Sequence, residues 1–236
     1  MRSHRPSALM LCSLAVTAVA GVCGACGNDE SISIDAAPAV DAATDAAACP
    51  PVWTVDAAAG TSATVAGGAL VLTGTNLVGS ALEVYRDGLG GDFDVSFTIE
   101  AFTAGATGAF LQAAISERVP TPTRILSTAL GTFPTVGVSA ADQPGGPTDI
   151  QASAATTGTL RFARTGTTVT LTATAGATVA TATATSFALQ PLRVGVQLGS
   201  NMGTVAPAST ARIGGFVVVA GAGVAADAFD CNSLIP

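Results

Sequence analysis

Three aspartates surround a run of glycines, in the segment Asp87-Gly-Leu-Gly-Gly-Asp92-Phe-Asp94. Carboxylate oxygens are the ligands that Ca²⁺ takes, so Asp87, Asp92 and Asp94 predict a metal site for calcium. The alternative is a turn that Asp87-Gly88 opens and Asp92 caps through its own backbone. We favour the turn, because Ca²⁺ takes about six to eight oxygens and this segment supplies only a few.

Several catalytic chemistries are excluded by composition. The single histidine is His4, in a segment that is expected to be removed, and the chain has no lysine. Ser-His-Asp triads, His-ligated zinc, Schiff-base lysines and the lysine of a phosphate loop are therefore absent. A net charge of −7 also excludes a basic surface for nucleic acid.

Two aromatic side chains are candidates for binding a sugar. Trp53 and Tyr85 are the only aromatic residues other than phenylalanine. Each could stack on a sugar ring as a ligand-binding residue, and each could instead cover the core near the end of a strand.

The N-terminus has the pattern of an export signal. Arg2, His4 and Arg5 precede an apolar stretch of 15 residues, from Ala8 to Val22. A positive segment followed by such a stretch is typical of a secretory signal peptide, which we place at residues 1–25. Ala18-Val-Ala20 is an alternative cleavage site for ordinary signal peptidase.

A lipid anchor is predicted at Cys26. Val22-Cys23-Gly-Ala-Cys26 resembles the lipoprotein box of bacteria. The resemblance implies that Cys26 is acylated and becomes the first residue, and that the bilayer is a partner of the chain. Gly27 rather than aspartate follows, which by the same resemblance favours the outer membrane.

The remaining cysteines predict one disulfide. Cys12 and Cys23 leave with the signal peptide and Cys26 carries lipid, so Cys49 and Cys231 are left. In an oxidising compartment this pair is expected to form a disulfide, with two free thiols as the alternative. Between Cys26 and Ala48, repeated Asp and Ala predict a disordered tether.

Residues 49–236 predict one all-β domain. In Phe93–Ala101, apolar residues alternate with polar ones, as in a half-buried antiparallel strand. Ten further short runs, Ala81 to Tyr85 among them, are separated by turn signals such as Thr165-Gly166 and Ala175-Gly176. Many short strands without intervening helices favour an antiparallel jelly-roll β-sandwich.

The order of these strands carries a family resemblance over residues 79–219. GDFDVSFTIE, GAFLQAAIS, TGTLRFARTGTTVTLTA, LQPLRVGVQLGSN and ARIGGFVVV together resemble the concanavalin A-like jelly roll, especially its laminin-G-like bacterial members. Hydrolases of that fold carry Glu-x-Asp-x-x-Glu on one strand, and this chain has no such triplet. We therefore expect a non-catalytic, lipid-anchored binding or surface-structural module with a glycan as candidate partner. The alternative is a glycan-active hydrolase or lyase that uses carboxylates.

Overall fold

In the computed structural model, the described residues form fourteen β-strands and no helix. The structure describes residues 52–75, 77, 79–105, 107–117, 124–132, 136–187, 191–201 and 208–236. They belong to the unit Ala46–Pro236. The first seven strands are β1 (Trp53–Ala57), β2 (Thr61–Val65), β3 (Leu70–Gly74), β4 (Gly79–Thr103), β5 (Ala109–Glu117), β6 (Ile125–Gly131) and β7 (Gly137–Gln143). The others are β8 (Thr148–Ala152), β9 (Gly158–Thr165), β10 (Thr168–Ala175), β11 (Thr178–Ala184), β12 (Leu192–Ser200), β13 (Ser209–Ala222) and β14 (Leu234–Ile235).

The strands form two sheets that share β4. Sheet 1 has the order β14-β1-β4-β12-β5-β6-β7-β8, and sheet 2 has the order β11-β10-β9-β4-β13-β3-β2. Every strand pair is antiparallel except the short pair between β1 and β14. Strands β6, β7 and β8 of sheet 1 contact β10 and β11 of sheet 2. The antiparallel all-β sandwich predicted from the sequence is confirmed.

The long strand β4 corrects the prediction for the segment around Asp87. Its first part pairs with β1 and β12 in sheet 1, and its second part pairs with β9 and β13 in sheet 2. The predicted strands Ala81–Tyr85 and Phe93–Ala101 are thus one strand, and the turn predicted at Asp87-Gly88 is wrong. Gly88 and Gly91 have φ of 107° and 66°, values that glycine adopts readily, so the strand bends there and continues into the other sheet.

The side chains that fill the core differ in size between two parts of the sandwich. Around β1 and β13, aromatic rings fill the interior, and Trp53 contacts Phe97, Phe216 and Phe229. Around β10 and β11, the buried side chains are mostly alanines: Ala173, Ala175, Ala180, Ala182 and Ala184. The high alanine content of the chain therefore belongs in part to the core.

The two ends of the described domain lie together. Trp53 pairs with Leu234, and the backbone N–H groups of Val52 and Trp53 both donate to the carbonyl oxygen of Ser233 at 2.9 Å. Cys231 in this segment is disulfide-bonded. Its predicted partner Cys49 and the predicted lipidation site Cys26 lie outside the described residues, so both of these assignments stay predictions.

A search of the described residues for a helix long and apolar enough to cross a membrane found none.

Candidate active site on the outer face of sheet 1

The three aspartates predicted to bind calcium are held apart by different partners. Asp94 accepts two hydrogen bonds from Arg161 at 2.7 and 2.6 Å, on the outer face of sheet 2. Asp92 accepts from the backbone N–H of Gly166 at 2.7 Å, and Asp87 pairs with Arg193 at 3.2 Å. No group of three or more His, Cys, Asp or Glu side chains that could hold a metal occurs in the described part of the chain. The geometry therefore gives no support to the calcium prediction at Asp87, Asp92 and Asp94.

Trp53 is a core residue, and the prediction that it binds a sugar is wrong. Its side chain has no solvent exposure, because it packs among phenylalanine rings between the sheets. The indole N–H donates to Asp227 Oδ2 at 2.7 Å, and the Arg86 guanidinium lies 4.6 Å from its ring. Burial lowers the pKa of Arg86 to about 10, while the charge of Asp227 opposes that shift. A ring enclosed in this way cannot stack on a ligand.

Tyr85 lies on the outer face of sheet 1, where a ligand could reach it. Its ring is covered by Arg193, whose guanidinium carbon lies 3.6 Å from the ring centroid. The same guanidinium is hydrogen-bonded to Asp87 through Nε at 3.2 Å. Tyr85 therefore presents a stacked tyrosine–arginine pair, rather than a bare ring, to this face of the sheet.

Alternation along β4 determines which side chains share the face with Tyr85. Leu82 and Val84 are fully buried in the core. Successive side chains of a strand point to opposite faces, so Glu83, Tyr85 and Asp87 point outward. The predicted strand Ala81–Tyr85 shows this alternation in the sequence alone. A sequence argument could therefore have placed Glu83 on the outer face without the structure.

Strand register extends this outer face across seven strands of sheet 1. Residues directly opposite one another on paired strands share a face. The row through Glu83 consists of Asp56, Glu83, Gln197, Gln112, Ala129, Ser139 and Ile150. The row through Tyr85 consists of Thr54, Tyr85, Gly195, Ala114, Ser127, Ala141 and Thr148. We call these the Glu83 row and the Tyr85 row.

The Glu83 row begins with two adjacent carboxylates. Asp56 on β1 lies directly opposite Glu83 on β4, a position at which Cβ atoms are about 5 Å apart. Burial raises the pKa of the Glu83 carboxyl above its usual value. The charges of Asp56 and Asp87 act in the same direction, and the hydrogen bond from Gln197 and the charge of Arg193 oppose them.

Such an arrangement suits proton transfer. A half-buried acid with a raised pKa keeps its proton to a higher pH than usual and can give that proton to a reacting group. Gln197 fixes Glu83 from the other side, and Gln112 donates in turn to Gln197 Oε1 at 3.3 Å. Glu83 is therefore the best placed general acid or base among the described residues of this face.

A cavity with a volume of about 190 Å³ continues the face over β5–β8. We call it the neutral pocket, because none of the described residues that line it is charged. Its polar lining consists of Gln112, Ser127, Ser139, Gln143, Thr148 and Asn201. The cavity shares Gln112 with the Glu83 row, so the carboxylate pair and the pocket belong to one continuous surface.

Glycines make room for one aromatic ring in this pocket. A Cβ on Gly199 would lie 2.6 Å from Cζ of Phe110, and one on Gly131 would lie 3.0 Å from its Cβ. These two glycines therefore leave room for Phe110, which is 9% exposed and lines the pocket. The sequence reasoning missed Phe110, because its phenylalanine type and strand position indicated only a core residue.

Comparisons with known proteins report on the fold. Neither the protein-family models nor the curated proteins gave a match to the sequence. Among solved structures, the chain is similar to a glycoside hydrolase family 16 endo-glucanase from Bacteroides ovatus, at TM-score 0.50 and 11% identity over 72% of this chain and 95% of that chain. It is also similar to an alginate lyase from Klebsiella pneumoniae, at TM-score 0.46 and 12% identity over 67% and 84% of the two chains. A legume lectin-like domain from Entamoeba histolytica matches at TM-score 0.48 and 8% identity over 71% and 89%.

The likeness to the endo-glucanase supports the concanavalin A-like jelly-roll fold that the strand order resembled. The expectation of a non-catalytic module is contradicted, because the endo-glucanase, whose fold this chain shares, is a glycan-active enzyme. At 11% identity, the likeness to that enzyme shows a common fold. Any activity of this chain has to be argued from its own residues.

Proposed function

We propose that the chain is an exported glycan-active enzyme in which Glu83 transfers the proton at the bond that is cleaved. The observation that supports this proposal is the pair Asp56 and Glu83 on the open face of sheet 1, one exposed and the other half-buried with a raised pKa. Cleavage of a glycan chain needs a group that gives or takes a proton, and paired carboxylates in different environments can divide these roles.

Each neighbour of Glu83 has a distinct task in this proposal. Asp56 supplies the second carboxylate, Gln197 orients Glu83, and Arg193 holds Asp87 and Tyr85 in place beside them. Seven strands at about 4.8 Å spacing give the face a span of roughly 29 Å, which suits a polymer better than a small molecule.

The same domain is proposed to sit at the cell envelope. Acylation of Cys26 would anchor the exported chain in the outer membrane, and residues 26–48 would form a tether. These two elements rest on the sequence pattern alone. A tethered domain could then reach a polymer that does not cross the membrane.

Activity on a panel of purified polysaccharides tests the proposal. Wild-type protein is incubated with neutral and uronate-containing glycans, and new reducing ends are measured together with the ultraviolet absorbance of unsaturated products. We expect cleavage of at least one glycan, and its loss in Glu83→Gln. Glu100→Gln is the matched control, because Glu100 is ion-paired with Arg212 on sheet 2, away from the site. Equal cleavage by Glu83→Gln and wild type would contradict the role of Glu83.

A further inference from the structure

We infer that the neutral pocket over β5–β8 is a sugar-binding subsite that selects an uncharged sugar unit. The inference rests on the proposed function and deepens it, because it names the substrate class. It starts from the chemistry of the pocket walls, which combine one aromatic ring with hydroxyl and carboxamide groups. Such groups can exchange hydrogen bonds with sugar hydroxyls without pairing a charge.

The pocket lies where a glycan held at Glu83 would pass. Gln112 lines the pocket and hydrogen-bonds Gln197, which in turn bonds Glu83. Strand β5 is two strands away from β4, or roughly 10 Å. A sugar chain that follows the Glu83 row would therefore place one unit at the carboxylates and another at Gln112, with Phe110 two residues further along β5 on the same face.

Phe110 provides the platform for that second unit. The end of its ring lies over Gly199, where a Cβ would collide with Cζ, and the side chain lines the pocket. The apolar C–H face of a sugar ring can stack on such an aromatic surface.

Among the described residues, this surface offers an anionic sugar no arginine that is without an acidic partner. On the outer face of sheet 1, as far as the structure describes it, Arg193 is the cationic side chain, and it is committed to Asp87 and Tyr85. Arg124, just before β6, is held by Asp142 through two hydrogen bonds at 2.8 and 2.6 Å. A uronate or sulfate would lose its hydration in this pocket without gaining a charged partner among the described residues.

The substrate class also decides the reaction. Elimination removes a proton from the carbon next to a carboxylate or carboxyl ester, and a neutral hexose unit has neither group. Cleavage must then be hydrolysis, in which the bond from C1 to the bridging oxygen breaks and C1 gains the hydroxyl of a water. The carboxyl of Glu83 gives its proton to the leaving oxygen, and the remaining proton of the water returns to the carboxylates.

Matched polymers that differ only in charge test the subsite. Soluble β-1,3-glucan, β-1,4-glucan oligomers and galactomannan are compared with derivatives whose primary hydroxyls have been oxidised to carboxylates, and polygalacturonate is added as a polyuronate. Binding is measured by affinity electrophoresis of the whole protein. We expect at least one neutral polymer to bind about tenfold more tightly than its oxidised form, and Phe110→Ala to weaken that binding. Val217→Ala, at an exposed position of β13, is the control.

A second variant can test the subsite if Phe110→Ala fails to fold. Gln143 is exposed at the rim of the pocket, so Gln143→Arg should fold and should improve binding of the oxidised polymer by about tenfold, through a charge-assisted hydrogen bond. Preference for the oxidised polymers or polygalacturonate by wild type would overturn the subsite but leave the proposed function standing. Binding and cleavage of none of these polymers would overturn both.

Discussion

Asp56 and Glu83 lie directly opposite each other on β1 and β4, on the outer face of sheet 1. This places two carboxylates side by side in a domain whose described carboxylates are otherwise mostly bound to arginines or to backbone N–H groups. Like charges at neighbouring positions are unfavourable. The pair is therefore not expected to stabilise the fold, and we assign it a functional role.

Replacement of Glu83 by glutamine should lower the rate of glycan cleavage by about 10²–10⁴-fold, the usual contribution of a positioned acid or base. The amide keeps the size of the side chain but cannot transfer the proton. Initial rates at saturating glycan measure the effect, and an intact circular-dichroism spectrum shows that the variant is folded. A loss of less than tenfold would assign the proton transfer to another group.

Asp56→Asn should also reduce cleavage, and it should shift the pH profile. Removing the Asp56 charge removes one cause that raises the pKa of Glu83, so the pH at which Glu83 loses its proton should move down. Because the protonated form is the active acid, activity should fall at a lower pH in the variant than in wild type. An unchanged alkaline limb would show that the two carboxylates do not interact.

Glu83 also makes stability depend on pH. A carboxyl whose pKa is raised by folding favours the folded state below its ordinary pKa, and this contribution is lost as the pH rises through the raised value. Glu83→Gln cannot ionise, so its melting temperature should decline less than that of wild type over this pH range. Differential scanning calorimetry at several pH values measures the difference, and parallel curves would contradict the raised pKa.

Trp53→Phe should destabilise the domain by about 1.5–3 kcal/mol, because Asp227 loses one hydrogen bond from a buried donor to a charged acceptor. Ser233 and the N–H of Phe229 still donate to Asp227, so the fold should persist. Chemical denaturation measures the change. Tyr85→Phe serves as the control, since it removes only a hydroxyl from the outer face, and an equal effect of both would argue against a special role for the indole N–H.

The predicted partner of Cys231 is Cys49, and the pair should be recovered as one disulfide-linked peptide after digestion without reductant. Cys231→Ser should lower the free energy of unfolding by about 2–5 kcal/mol, because a bond to Cys49 would close a loop that spans nearly the whole domain. A Cys231 peptide linked to another cysteine would refute the pairing.

The predicted lipid anchor is Cys26. Cys26→Ser should abolish incorporation of labelled palmitate, while Cys23→Ser should retain it. Palmitate on the Cys26 variant would refute the assignment.

The sequence predicted strands and core residues correctly where apolar and polar side chains alternate regularly. Phe93, Val95, Phe97 and Ile99 face the core as predicted, because apolar and polar residues alternate there without a break. Ala101, predicted on the same face, is exposed and Phe102 is buried instead, because the register between β4 and β13 shifts at this point. The short strands β1, β2 and β8 escaped prediction, since five residues of mixed polarity carry little periodicity. Glycines that usually open a turn bend β4 instead, and only the partners of β4 in both sheets determine that outcome.

The site was harder to predict than the fold, and for a different reason. A search for three carboxylates on one strand could not find Asp56 and Glu83, which lie 27 positions apart and meet through strand pairing. Trp53 attracted attention by its rarity, although rarity does not distinguish a ring that binds a ligand from a ring that fills the core. The neutral pocket depends on the register of four strands, β5–β8, which no local pattern specifies.

The shared strand β4 also constrains how the chain folds. In sheet 1, β4 needs β12, and in sheet 2 it needs β9 and β13, so most of its partners follow it by more than 50 residues. Contacts between positions so distant in sequence are slow to form, and they place the domain among proteins that fold in milliseconds to seconds. A nascent chain that ends before β12 would leave both halves of β4 with open edges, so the domain should acquire protease resistance only after its last long strands have been made.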